Sequence, residues 1–279
     1  MFNVSFNIFM LNNLIMKKPV NKNQKFIEKF FIKKGLKLLV DLSKKKKLSV
    51  NQMIVNEPYI PELDDLYNLY QYVLINKRIT ILEFGSGWSS LIFSLALNEL
   101  ANNFSNEVKK LRRNNPFELF IIENEKKYLD ITKNRILKFN KYLKIKKQIK
   151  INYILTDVEM TTFKDRICTQ YKKLPLCNPD FIYLDGPNQF KVKKDINGIS
   201  IRHKDMMPMS SDILKIEHFL TPGTIIVTDG RGANASFLKA NLQRDWKYFY
   251  DDINDQSLFF LKEKPLGIYN KRQLDFYKK

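Results

Sequence analysis

Residues 79–97 read ITILEFGSGWSSLIFSLAL. A β-branched run over 79–84 ends in an acid and two glycines, then passes into an apolar pattern of helical length, so the stretch predicts a strand, a tight turn and a helix. Gly85 and Gly87 let the backbone turn sharply and approach a ligand closely, and the first free N–H groups of the helix offer a place for a carboxylate or phosphate. The stretch therefore has the form of a small-molecule cradle. The same pattern also fits a strand–helix turn that binds nothing.

Two common cradles do not fit. A dinucleotide fingerprint asks for a third glycine and an acid roughly 20 positions on; Ser90 stands in the third glycine's place, and the next strand-end acid, Glu123, lies twice as far away. No glycine-lysine-serine or glycine-lysine-threonine triplet follows, which argues against a phosphate-binding P-loop. Glu83, at the strand end, repels phosphate and suits a cationic ligand.

The chain has 279 residues and a formal net charge of +19. That length allows one large or two small domains with a substantial core. Its hydrophobic share of 44% and charged share of 28% are those of a soluble globular protein. The basic excess points to acidic partners such as nucleic acid or an anionic membrane surface. However, the lysines are spread along the chain among abundant Asn and Ile, a pattern that AT-rich coding also produces, so nucleic acid is not the favoured partner. Cys168 and Cys177, even with His203 and His218, match no zinc spacing and no disulfide framework. They read as thiols in a reducing cytoplasm.

Residues 1–16 are apolar but too short to span a membrane, and their lysines follow the run instead of preceding it, unlike a signal peptide. They read as an extra helix or a loose leader, with 26–42 as an amphipathic helix interrupted by Gly35 and 44–47 as a solvated linker. Pro61 can start a helix that delivers the chain to the first strand. The helix after the cradle is expected to run to Asn115, where Pro116 breaks it. Further strands are expected to end at Glu123, Asp157, Asp185 and Asp229, alternating with helices, so that right-handed crossovers build a parallel sheet. A closing antiparallel hairpin is expected over 246–250 and 257–262. The predicted organisation is an N-terminal helical extension and linker over 1–55, one domain over 56–265 and a tail over 266–279.

Each expected parallel strand ends in an acid. Singly such acids can be helix caps, but in an open α/β sheet the carboxyl ends of the strands line the ligand crevice. Five of the nine glycines, Gly85, Gly87, Gly186, Gly230 and Gly232, fall on the same rim.

The acidic-x-glycine-x-glycine turn, the acid ending the second strand, the aspartate ending the third, LDGP at the fourth and the leucine-x-proline-glycine lead into the fifth together resemble the class I S-adenosylmethionine-dependent methyltransferase family, and in particular its small-molecule and sugar-type members. The resemblance covers roughly residues 59–262. It implies a Rossmann-like, doubly wound α/β fold with a mostly parallel seven-stranded sheet and an antiparallel C-terminal hairpin. It implies S-adenosylmethionine as cofactor, with Glu83, Gly85 and Gly87 beside the methionine moiety, Glu123 at the ribose hydroxyls, Asp157 at the adenine edge, and Trp88, Ser89 and Asn124 also among the cofactor-binding residues. Asp185 then serves the methyl-bearing end and is the first candidate base. The family's metal-dependent branch places aspartates where Asp185 and Asp229 stand, but Gly230 replaces an asparagine ligand, so a divalent metal is not favoured.

The connection 188–211 is long enough to be a substrate lid. Its His203 is a second candidate base or a solvated loop histidine, and Lys191, Lys193 and Lys194 suit either an anionic acceptor or solvent. Arg231 can bind an anionic substrate group or pair with a neighbouring acid. The expected activity is methyl transfer to a small molecule or sugar, at oxygen. The alternatives are an RNA or DNA methyltransferase and a non-catalytic nucleotide-binding protein of the same fold.

Overall fold

A computed structural model describes residues 16–44, 60–145 and 148–279; the leader expected at the start of the chain and most of the expected linker lie outside them. In chain order the helices are α1 (Gln24–Lys33), α2 (Lys37–Ser43), α3 (Leu63–Ile75), α4 (Trp88–Val108), α5 (Lys126–Tyr142), α6 (Asp212–Ile216), α7 (Gly232–Asn241) and α8 (Ile268–Lys278). The strands are β1 (Thr80–Phe84), β2 (Glu118–Glu123), β3 (Lys150–Leu155), β4 (Val158–Phe163), β5 (Arg166–Tyr171), β6 (Phe181–Leu184), β7 (Ile225–Asp229), β8 (Trp246–Asp251) and β9 (Gln256–Leu261).

Seven strands form one sheet in the order β3-β2-β1-β6-β7-β9-β8. The first five are parallel, and β9 and β8 close the sheet antiparallel, so the fold is the doubly wound α/β sheet that the residues predict. Strand β1 lies between β2 and β6 with every residue buried. Its alternating side chains feed two cores, Ile81 on the face covered by α1, α3, α4, α5 and α8, and Leu82 and Phe84 on the face covered by α6, α7 and a two-stranded sheet of β4 and β5.

Four local expectations change. The helix expected over 26–42 is two helices, because Gly35 adopts φ +77° and a Cβ there would sit 2.6 Å from Leu143 Cδ2. Helix α4 stops at Val108, well short of Asn115, and the polar run that follows sends Arg113 to Thr80 Oγ1 (2.7 Å) and to the Asn178 carbonyl (2.6 Å). Residues 158–171, to which the sequence reading gave no structure, form the β4–β5 hairpin. Residues 266–279, expected as a tail, carry α8, whose Leu274, Phe276 and Tyr277 are buried.

The N-terminal helices share the main core. Phe31 is fully buried, and Phe30 meets the edges of Tyr67 (5.1 Å) and Tyr70 (5.5 Å). A phenylalanine so placed contributes about 1.5–3 kcal/mol of apolar burial. At the N-terminal end of the parallel strands the buried Asp180 carboxylate accepts the N–H of Ile79 (3.0 Å), the N–H of Thr80 (2.9 Å) and the Tyr277 hydroxyl (2.6 Å), with Arg113 at 3.8 Å. Among the described residues no helix is long and apolar enough to cross a membrane.

Candidate active site

The glycine turn after β1 is built against the turn after β6. The Gly85 N–H donates to the Ile122 carbonyl (2.8 Å), and the Asp185 N–H donates to the Phe84 carbonyl (3.0 Å). Gly85 has φ +100°, and a Cβ there would lie 3.1 Å from Gly186 N. A Cβ on Gly186 would in turn lie 2.8 Å from Gly85 N and 2.6 Å from the Tyr171 hydroxyl. Only glycine permits this approach of two backbones. Gly87, by contrast, has extended backbone, and a Cβ there would make only an ordinary contact with Ser89 Oγ at 3.8 Å, so its identity is not forced in the same way.

The carboxylates on this rim differ in what surrounds them. Glu83 is buried, and its two oxygens accept the hydroxyls of Ser89 (2.5 Å) and Ser90 (2.6 Å), so it braces the first turn of α4 from behind the cradle. Burial pushes its carboxyl up to about 8. Glu123 accepts the Ser86 hydroxyl from the glycine turn (2.8 Å) and the N–H groups of Asn124 (2.7 Å) and Glu125 (2.9 Å), which fix both oxygens in position; burial raises its pKa. The Asn188 N–H reaches Asn124 Oδ1 (3.4 Å) and the Asn188 amide reaches Glu125 (2.5 Å), tying the loops after β2 and β6 together.

Asp185 directly follows β6 and faces Arg231, whose Nε lies 3.5 Å from its Oδ1. Its pKa is raised by desolvation inside the concave rim and held back by that guanidinium. Arg231 also donates to the Pro187 carbonyl (3.0 Å), so of its two expected uses the structure displays pairing with an acid. Asp229 ends β7; burial, together with repulsion from Asp185 and Asp65, lifts its carboxyl to about 8. Among the described residues no group of three or more His, Cys, Asp or Glu is arranged to hold a metal ion.

The remaining candidates are spread around the rim. Asp157 lies two residues beyond β3 and is 2.8 Å from Lys193 Nζ, which holds its pKa below the usual range. Lys194 pairs with Glu159 (2.8 Å), so these two lysines serve a surface ion-pair cluster. Trp88 is covered by the Arg135 guanidinium at 3.8 Å and abuts Phe139. His203 is exposed, and its Nδ1 accepts from the Asp205 N–H within the same loop (3.2 Å). That loop is fastened at both ends to the β4–β5 hairpin, where Lys193 N–H donates to Val158 (2.8 Å) and Ser211 N–H to Thr169 (3.0 Å).

Sequence reasoning missed Ser86, although its place between two glycines could have singled it out. It also missed Tyr171, which is buried beside Gly186 with its hydroxyl lacking a partner. Burial and the nearby Glu123 carboxylate push that hydroxyl well above its ordinary pKa. No signal marked it, because the hairpin that carries it was not read.

Beside the rim, on the face covered by α1 and α3, lies a cavity of about 670 Å³. Asp229 and Gly230 connect it to the strand ends, and the first turn of α3 and the β8–β9 turn form its walls.

No protein-family model matches the chain, and no curated protein matches it. Among solved structures it is similar to the SAH-bound methyltransferase PaMTH1 of Podospora anserina, with 13% identity over 88% of this chain and 100% of that one and a TM-score of 0.43. It is also similar to the O-methyltransferase from Bacillus cereus in complex with SAH, with 14% identity over 91% of this chain and 96% of that one and a TM-score of 0.35. Likenesses of this size leave function to the chain's own geometry.

Proposed function

We propose that the chain is an S-adenosylmethionine-dependent methyltransferase acting at oxygen on a small molecule or sugar. The observation that carries this reading is the Glu123 carboxylate, 5% exposed at the carboxyl end of β2 and pre-oriented by Ser86 of the adjoining glycine turn. Its Oε1 is filled by the two backbone N–H groups, and its Oε2, which accepts Ser86 alone, can take one further hydrogen bond, which suits a ribose hydroxyl. The Asn124 amide nitrogen and the Tyr171 hydroxyl, both without a partner in the same crevice, are further groups that a bound ligand can satisfy.

S-adenosylmethionine supplies an electrophilic methyl group on a sulfonium sulfur. The chain's part is to hold the acceptor in line and remove its proton. Asp185 at the end of β6 is the proposed base, taking the hydroxyl proton on a carboxylate oxygen. Partial desolvation in the concave rim makes it more basic than a free aspartate, and Arg231 keeps it oriented. Asp157 and His203 stand outside this arrangement, engaged with Lys193 and with their own loop. The acids of the rim disfavour a polyphosphate, which weighs against a nucleic-acid acceptor despite the net charge.

Titration calorimetry with S-adenosylmethionine, S-adenosylhomocysteine and NAD tests the reading. The first two are expected to bind and NAD is not. Glu123→Ala is expected to lose about 10- to 100-fold in affinity, as the removal of charge-assisted hydrogen bonds implies. If neither sulfur compound binds the wild-type protein, the reading is wrong.

A further inference from the structure

We infer that the end of the molecule opposite the crevice docks on an anionic lipid surface through the open side of α8. The loops that lead into β1, β2, β6 and β7 form this end, and α8 lies across them. The Asn270 amide donates to the Pro222 carbonyl (3.3 Å), the Tyr277 hydroxyl to Asp180 (2.6 Å), and the Arg78 guanidinium lies 3.7 Å from the Tyr277 ring. One side of the helix is held by this packing, so what the other side presents is already ordered.

That other side combines apolar tips with bases. Leu266, Ile268 and Tyr269, all within the stretch 266–269, are each at least half exposed, and Leu176 on the loop before β6 is fully exposed. The two loops are brought together by the turn after α4, where the Arg112 guanidinium lies 5.0 Å from the Tyr269 ring and Arg113 donates to the Asn178 carbonyl (2.6 Å). Lys264, Lys271 and Arg272 are exposed around the apolar tips, and Lys109, Lys110 and Arg112 are exposed on the adjoining turn. Helix α8 itself carries Lys271, Arg272 and Lys278 against the single acid Asp275, and Glu107 nearby is engaged with Lys279 (3.6 Å).

Bases alone would suit any polyanion. The aliphatic tips favour lipid, because leucine and isoleucine offer nothing to a sugar–phosphate backbone but insert at the boundary of the acyl chains, while lysine and arginine reach the headgroup phosphates. The place where the chain enters adds a further observation. Residues 1–15, MFNVSFNIFMLNNLI, carry no charged side chain, and they join the described chain at this same end, where the Lys17 N–H donates to Asn76 Oδ1 (2.8 Å) and its Nζ to the Lys278 carbonyl (3.4 Å). An apolar segment beside a basic patch supplies the two signals that stable surface attachment takes. The acids Glu123, Asp185 and Asp229 stand at the far ends of the strands, so an anionic surface attracts one end, repels the other and leaves the crevice open to water.

The test is co-sedimentation of the full chain with vesicles of phosphatidylcholine alone and of phosphatidylcholine and phosphatidylserine in equal parts, in dilute and in molar salt. The wild type is expected to bind the anionic vesicles at least about tenfold more tightly than the neutral ones, and to lose most of that preference in molar salt. The triple variant Lys264→Glu, Lys271→Glu, Arg272→Glu and the double variant Leu266→Ser, Ile268→Ser are each expected to weaken binding at least about tenfold, with thermal midpoint and far-ultraviolet circular dichroism at wild-type values. Equal binding to both kinds of vesicle, binding to neither, or binding that either variant leaves unchanged overturns the inference. If vesicles are not bound while a short RNA or DNA duplex is, and the charge variant weakens that binding, the face belongs to nucleic acid and the lipid assignment fails.

Discussion

Replacing Glu83 by Gln should change how stability depends on pH. The side chain is 1% exposed, and its two oxygens already accept Ser89 and Ser90, so the isosteric amide fits the same space. Burial lifts the folded-state pKa from 4.5 to about 8. Between these values the folded protein keeps a proton that the unfolded chain has lost, so stability contributed by this group is present at low pH and is lost as pH rises toward 8. The slope is about 1.4 kcal/mol per pH unit. From about pH 5.5 to 7.5 the wild type should therefore lose about 2 kcal/mol more stability than the variant. Urea unfolding of both proteins at the two pH values measures the difference, and the other buried acids, Asp212 and Asp229, drop out because they are common to both. Parallel profiles would refute the reasoning, since they would mean that Glu83 is ionised in the folded protein at neutral pH.

Two further predictions concern the scaffold. Tyr277→Phe removes the hydroxyl bonded to Asp180 and should cost about 1–3 kcal/mol in denaturant unfolding, with S-adenosylhomocysteine affinity unchanged. Gly35→Ala forces a Cβ onto Leu143 at a backbone angle that L residues avoid; a loss of about 2 kcal/mol is expected with the same denaturant slope.

The sequence shows the sheet clearly because parallel strands buried on both faces read as short apolar runs, and each run here is followed by a turn carrying Gly or an acid. The strand expected to end at Asp185 ends one residue earlier, at Leu184, and the closing hairpin is found within one residue at its ends. The β4–β5 hairpin escaped because VEMTTF and RICTQY mix polar and apolar positions and are joined by Lys164 and Asp165, both at positive φ without a glycine to signal the turn. Helix α8 escaped because its YNKRQ stretch is polar, and two of its buried residues, Asn270 and Gln273, are held by hydrogen bonds instead of apolar contact. At the rim the residue types were legible but their partners were not. That Glu83 turns inward to two serines, and that Lys193 and Lys194 face acids two strands away, depends on tertiary placement that no local pattern encodes.

Asp180 gathers the start of β1, a distant helix and an arginine at one end of the sheet, while the glycine turns and their acids occupy the other. The scaffold is thus pinned on the side away from the crevice, which leaves the opposite loops free to diverge. In a random mutant library sorted only for soluble expression, substitutions at Asp180, Tyr277 and Arg113 should be purged, whereas many at Asp185, Arg231 or Asp255 should survive. New acceptor preferences could then be selected at that end without rebuilding the protein.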